Sequence, residues 1–303
     1  MVTINIHSQI NSNKRRSGML VLLFIILLSV MGFFFGYFLG SWIAGIIIAG
    51  TISIIYALIG YNAGASMALS SVNAREITQD TNNLKEKQLY DVIDEVRIAS
   101  GLPMPRVWII PSNAMNAFAT GTKPEKAHVA ITQGLMEKLN REEMKGVMAH
   151  EMGHVKNYDT RLLLLTSILV GTVIFLADIM IRSFLWSGGG RSRNNDSSGS
   201  YILIVVGIIF AILAPIFAQL AKLALSRQRE YLADATAAQL TQYPEGLASA
   251  LEKIQGDEVP LKGASALTSE MFIKNPTHKR SFATRIFSTH PPIEDRIKRL
   301  RSM

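Results

Sequence analysis

From Met19 to Leu39 the chain carries no charged residue, and after Gly40-Ser41 a second such run follows, Trp42–Tyr61. Hydrocarbon offers no partner for a bare N–H or C=O, so a backbone crosses it only as a helix or a closed barrel. A helix of about 20 residues spans about 30 Å of hydrocarbon, and each run is that long. Lys14-Arg15-Arg16 precede the first run and hold that end on the cytoplasmic side. The run exceeds the usual apolar part of a secretory signal, lacks a small-x-small cleavage site and leads directly into the second run. A retained helical hairpin turning at Gly40-Ser41 is expected.

Two further apolar stretches, Leu162–Ile181 and Tyr201–Ala221, flank a loop rich in Gly, Ser, Arg and Asn. Asp178 and Pro215 also suit a buried apolar hairpin that does not cross; the predicted topology counts four spans. The predicted organisation is a cytoplasmic segment at 1–18, a membrane hairpin at 19–62, a soluble region at 63–161, a second hairpin at 162–221 with an outer loop at 182–200, and a second soluble region at 222–303. Lys and Arg outnumber Asp and Glu by 31 to 23, giving +8, and the basic residues mostly flank apolar segments. That placement points to the cytoplasmic loops of a membrane protein rather than to nucleic-acid binding or an anionic lipid surface, and no RNA- or DNA-binding motif is present. Zero cysteine excludes a disulfide framework and a thiolate metal site, so any transition metal must sit on His and carboxylates.

The soluble regions read as mixed α and β. Charged and apolar residues alternate with helical spacing from Glu76 to Ala99, with Leu84, Leu89, Val92, Ile93 and Val96 on one side, until Gly101-Leu102-Pro103 stops the helix. Val107–Ile110 and Ala127–Thr132 read as strands, with turn residues Gly121–Pro124 between them. Asn140 with Glu143 marks a capping box, starting a helix that carries His150 and His154 towards Tyr158. Leu223–Gln242, Gly246–Ile254 and Ile293–Leu300 complete the predicted helices, with a basic loop at Asp257–Phe287.

Within the Asn140 helix stands His150-Glu151-Met152-Gly153-His154. Residues four apart share a helix face, so two imidazoles can hold one Zn²⁺, and Glu151 can take a proton from an attacking water and return it to the leaving amine. A hydrolytic zinc site usually has three protein ligands, and Glu230 in Arg229-Glu230-Tyr231-Leu232-Ala233-Asp234 is the strongest candidate for the third. Asp234, one turn on, is placed to accept the free ring N–H of His150 or His154. The same residues also suit a solvated ion-pair face. His7, His128 and His278 have no partner at ligand spacing and read as exposed.

His150–His154, Glu230–Asp234, Asn116-Ala117-Phe118-Ala119 and Ser288-Thr289-His290-Pro291-Pro292 resemble, in order, the motifs of the HtpX group of bacterial membrane metalloproteases, related to the CAAX prenyl proteases. The resemblance covers essentially the whole chain. It implies an α-helical membrane protein with a cytoplasmic α+β zincin-like metalloprotease domain, one zinc ion on His150, His154 and Glu230, and Glu151 as general base. It further implies that His290 stabilises the oxyanion with Arg296 as its support, and that Asn116 meets the substrate backbone. Ala127–Thr132 becomes the edge strand that an extended substrate joins. The implied role is stress-linked removal of damaged membrane proteins at the inner membrane, with prenyl-protein processing or a zinc-holding scaffold as alternatives. No oligomeric state follows. His154 precedes Leu162, and Glu230 follows Lys222, by eight residues; continuous helices would set both within about 12 Å of the bilayer. Lys274, Lys279, Arg280 and Arg285 are further candidates for anionic lipid contact.

Overall fold

A computed structural model describes residues 6–38, 40–169, 227–261, 271–274 and 291–303. The expected outer loop, most of the second apolar pair, His278, His290, Lys279, Arg280 and Arg285 lie outside the described residues. The chain forms two compact units. One comprises Met1–Ser17, Asn62–Leu164 and Ala224–Met303; the other comprises Gly18–Tyr61 and Leu165–Leu223.

The apolar unit contains most of α1 (Ile6–Phe38) and of α2 (Trp42–Ser71). Gly40, at φ 87°, turns the chain between them, the Ser41 N–H closes back on the Gly36 carbonyl at 2.8 Å, and Ser41 Oγ caps Ala44 N–H at 3.4 Å. Small residues let the two backbones touch: a Cβ on Gly45 would lie 2.1 Å from the Gly32 carbonyl oxygen. Such close glycine contacts are how helices associate where no hydrophobic effect drives them together. Ile47, Ile48, Ile52, Ile55 and Leu58 are exposed along α2. Among the described residues α2 is long and apolar enough to cross a membrane by length and composition.

The other unit is a four-stranded sheet backed by helices. Its strands, β1 (Arg75–Ile77), β2 (Arg106–Ile110), β3 (Ala117–Thr120) and β4 (His128–Thr132), lie in the order β1-β2-β4-β3. β2 and β4 are parallel, and the outer two pairings are antiparallel. The strand expected at the edge is therefore interior: β4 hydrogen-bonds on both sides and all five of its residues are buried. Ala117–Thr120, which begins within the Asn116–Ala119 motif, forms one edge strand and β1 the other. The physical reason is the local β3–β4 return, through Gly121 at φ 137° and the single turn Pro124–Lys126, which pairs β3 with β4 and leaves its other side without a described strand.

Helix α3 (Leu84–Ser100) starts later than its periodicity suggests. Glu76 belongs to β1, and Asn83 supplies the cap by accepting from Lys85 N–H and Glu86 N–H. Leu84, first in the helix, is 84% exposed, whereas Leu89, Val92, Ile93 and Val96 enter the core. Gly101 ends the helix in the left-handed region, at φ 70°. After the short α4 (Gln133–Lys138) comes α5 (Arg141–Lys156), with the Asn140–Glu143 capping box formed in both directions. Met144, Val147, Met148, Met152 and Val155 bury this helix against α3, α6 (Arg227–Thr241) and α7 (Pro244–Gly256). Burying such side chains stabilises by about 1.5–3 kcal/mol each, so α5 is the axis of the core. The last helix, α8 (Ile293–Leu300), packs on α7 and α6.

Helix α5 does not run on through Tyr158. Asn157 caps it, Tyr158 stands at φ 60°, and a new helix begins at residue 159. The expected continuous helix from His154 to Leu162 is thus interrupted. Lys274 does not reach for lipid either, since its ammonium donates to the carbonyls of Ile254 and Gln255 at the end of α7, at 2.9 and 3.2 Å.

Candidate metal centre

His150 and His154 emerge one turn apart on the buried face of α5, with Nε2 atoms 3.2 Å apart. Glu230, in the first turn of α6, brings Oε2 to 3.8 Å from His150 Nε2 and Oε1 to 3.5 Å from His154 Nε2. A tetrahedral zinc with bonds of about 2.05 Å holds its donors about 3.3 Å apart, so these spacings match one ion at their centre. Among the described residues, these three form a group able to hold a metal.

Each imidazole is held from behind. His150 Nδ1 lies 3.0 Å from Asp234 Oδ1, and His154 Nδ1 lies 3.0 Å from Asp159 Oδ2. A carboxylate can only accept, so both Nδ1 atoms carry a proton and both Nε2 atoms face the metal position. Asp234 takes the place behind His150 that its spacing suggested. Asp159 was not singled out in the sequence, because it lies beyond the break at Tyr158, where helical spacing no longer applies.

Arg296, fully buried on α8, donates Nη2 and Nε to Asp234 at 2.6 and 2.9 Å, and its Nη1 lies 3.3 Å from Glu230 Oε2. Its partners among the described residues are thus the carboxylates of α6, and His290, which it is expected to support, lies outside them. The reason is geometric: a bidentate fork matches a carboxylate, and α8 packs on α6. Nη2 also stands 3.3 Å from His150 Nδ1. Both atoms are donors, so that approach is a packing contact while Asp234 takes both protons.

These charges tune one another. Burial works against an ionised Asp234, yet Arg296 and His150 hold its carboxyl below the usual range. Burial also opposes a charged His154, but the hydrogen bond to Asp159, with Glu230 and Glu151 near, raises it to about 9. A pocket that favours positive charge on an imidazole fits a divalent cation on that imidazole's other nitrogen. His150, next to Arg296, moves the other way: burial first and Arg296 second lower it. Glu151 is 2% exposed, and burial pushes its carboxyl up to about 7, opposed in part by His154 and by a hydrogen bond from the Ala119 backbone of β3.

β3 therefore borders Glu151, and the cleft is completed by Thr160, Leu163 and Met271–Ile273. The Ile273 N–H donates to the Ala117 carbonyl at 3.1 Å, and Phe272 packs edge-on against Phe118. Asn116, expected to meet a substrate backbone, is engaged by its own chain: its amide donates to the Lys274 carbonyl at 2.7 Å and accepts from the Lys274 N–H at 3.2 Å. His128 is buried, contrary to its reading as a surface residue, and its Nδ1 accepts from Trp108 Nε1–H at 3.1 Å.

Comparison with known proteins agrees with this geometry. Peptidase family M48 matches residues 83–303. A "Protease HtpX homolog" of Lactobacillus acidophilus is 42% identical, covering 98% of this chain and all of that protein. Those of Caldanaerobacter subterraneus and Dictyoglomus turgidum are 41% and 42% identical, covering 96% and 100% of this chain and 95% and 96% of their own lengths. Among solved structures, S. mikatae Ste24p aligns over 93% of this chain and 62% of its own, with 19% identity and a TM-score of 0.49. Matched over most of its length and aligned nearly end to end with the HtpX homologues, the chain is a zinc metalloprotease belonging to peptidase family M48.

Proposed function

We propose that this protease is anchored in the bacterial inner membrane by four spans, with its zinc site on the cytoplasmic side, where it cuts loops and tails of misfolded or damaged membrane proteins. The observation that carries the hydrolytic part is the convergence of His150, His154 and Glu230 donors on one point with the Glu151 carboxyl beside them. Zinc held there supplies Lewis acidity toward a scissile carbonyl and water. Glu151 takes the proton of the attacking water and hands it to the leaving nitrogen; a carboxyl raised to about 7 by burial can do both near neutral pH. Asp234 and Asp159 keep the imidazoles in register throughout, and His290 completes the site by hydrogen bonding the oxyanion.

The substrate joins β3, the edge strand that borders Glu151. That edge takes main-chain partners, since Ile273 already donates to Ala117. Extended chain is required for such pairing, so cuts fall in unravelled segments outside the hydrocarbon. The exposed isoleucines of α2, the basic Lys14-Arg15-Arg16 and the apolar section of α1 support the anchoring and its orientation.

The test is incubation of the purified full-length protein with an unfolded polytopic membrane protein, with chelator and after zinc replacement, with fragments mapped by mass spectrometry. Zinc-dependent cuts in cytoplasmic loops are expected. Equal cleavage under all conditions, or cuts mainly within membrane segments or on the outer face, would overturn the proposal.

A further inference from the structure

Asn13 is buried completely, although its neighbours Lys14 and Arg15 are exposed. Its side-chain amide donates to Asp159 Oδ1 at 2.7 Å and to the main-chain carbonyl of Asn157 at 2.9 Å, across 146 and 144 residues of sequence. Both neighbours are acceptors, so the orientation of the amide follows from chemistry alone: the NH₂ must face them. Asn157 is the C-cap of the helix that carries both histidines, and Asp159 is the carboxylate behind His154. One amide thus bridges the end of the metal-binding helix and the group that aims its second imidazole.

From this we propose that Asn13 is a positioning residue for the metal site, acting through Asp159 on His154. Asp159 has two oxygens to place. Oδ2 meets His154 Nδ1–H, and Oδ1 meets Asn13 at hydrogen-bond distance, with Arg229 Nη1 further away at 3.7 Å. With the amide in place, the carboxylate plane is fixed at both ends. Without it, the nearest pull on Oδ1 among the described residues comes from Arg229, and the carboxylate turns toward that guanidinium and away from the imidazole. The His154 ring then loses the partner that sets its tautomer and tilt. Two further contacts seat the segment: Ser17 Oγ donates to the Asn13 carbonyl at 2.8 Å, and the Lys14 ammonium lies 4.3 Å from the centre of the Tyr158 ring, in the turn between Asn157 and Asp159. Asn11, exposed two residues earlier in the same helix, is the natural control. The inference rests on the zinc site described above.

The experiment titrates metal-depleted full-length protein in detergent with Zn²⁺ against a chelator, and with Co²⁺ while its visible d–d absorption is recorded. Asn13→Leu, near in volume but without donors, is expected to weaken metal binding about tenfold, the lower end for residues outside the ligand set, and to move the Co²⁺ band. Asn13→Ser, too short to reach Asp159, is expected to behave alike, so that a folding defect in one variant does not decide the matter. Asn11→Ala should leave affinity and spectrum unchanged. In an Asp159→Ala background, Asn13→Leu should cost nothing more, because the path from Asn13 to His154 is already cut. Unchanged affinity in both Asn13 variants, or the same loss with Asp159 absent, overturns the inference. Failure of the parent itself to bind metal would instead overturn the zinc assignment.

Discussion

Glu151→Gln should abolish hydrolysis and, in the metal-free protein, alter how stability depends on pH. Glu151 is buried, and its folded value near 7 stands above the ordinary 4.5. The folded protein therefore holds this proton at pH values where the unfolded chain has released it. Stability attached to the protonated group is fully present below 4.5 and is lost as pH rises through 7. With 1.36 kcal/mol per pH unit, the penalty of the parent is about 1 kcal/mol at about pH 5 and about 3 kcal/mol at about pH 8. Glutamine carries no such penalty. Any fixed cost of fitting its amide beside Ala119 is the same at both pH values and cancels in the comparison. Denaturant unfolding of metal-depleted parent and variant should therefore show their stability difference shifting in favour of the variant by about 2 kcal/mol from low to high pH. Meanwhile the loss of a general base should lower peptide hydrolysis by about 10²–10⁴-fold with zinc binding retained. A stability difference that ignores pH would refute the burial argument, and activity above about one tenth of the parent would mean that another group is the base.

Glu230→Ala removes one of three ligands and should leave the purified protein without stoichiometric zinc, which metal analysis checks. Arg296→Met leaves Asp234 and Glu230 buried without their fork, and about 3–5 kcal/mol of stability should disappear; a loss under about 1 kcal/mol on denaturant unfolding would contradict that ion pairing. His128 is lowered below 6.5, by burial first and Arg106 second. The unfolded chain takes up that proton first, so stability should fall as pH drops below 6.5, and His128→Asn, monitored by thermal unfolding, should flatten that limb. A single cysteine placed at Ser192 in this cysteine-free chain should react with impermeant reagents from the outer face; reaction only from inside would refute the four-span topology.

What the sequence determined alone was set by local periodicity and local chemistry. Charge-free runs of bilayer length, a glycine turn, the Asn140–Glu143 capping box and two histidines four apart each depend on residues close in the chain, and each can be read without knowing the fold. Glu230 and Asp234 also share a face by spacing, but nothing local distinguishes a ligand with its supporter from a solvated ion pair; the packing of α6 on α5 does that. Only the tertiary structure decided the sheet order, because the pairing of β4 with both β2 and β3 depends on contacts made across the sheet. It also moved the open sheet edge beside the site from 127–132 to Ala117–Thr120. In the same way it gave Arg296 to the α6 carboxylates, placed Asp159 behind His154 beyond a broken helix, and brought Asn13 across 146 residues to hold it. A buried carboxylate must find a donor wherever the fold brings one, and the sequence distance to that donor carries no information.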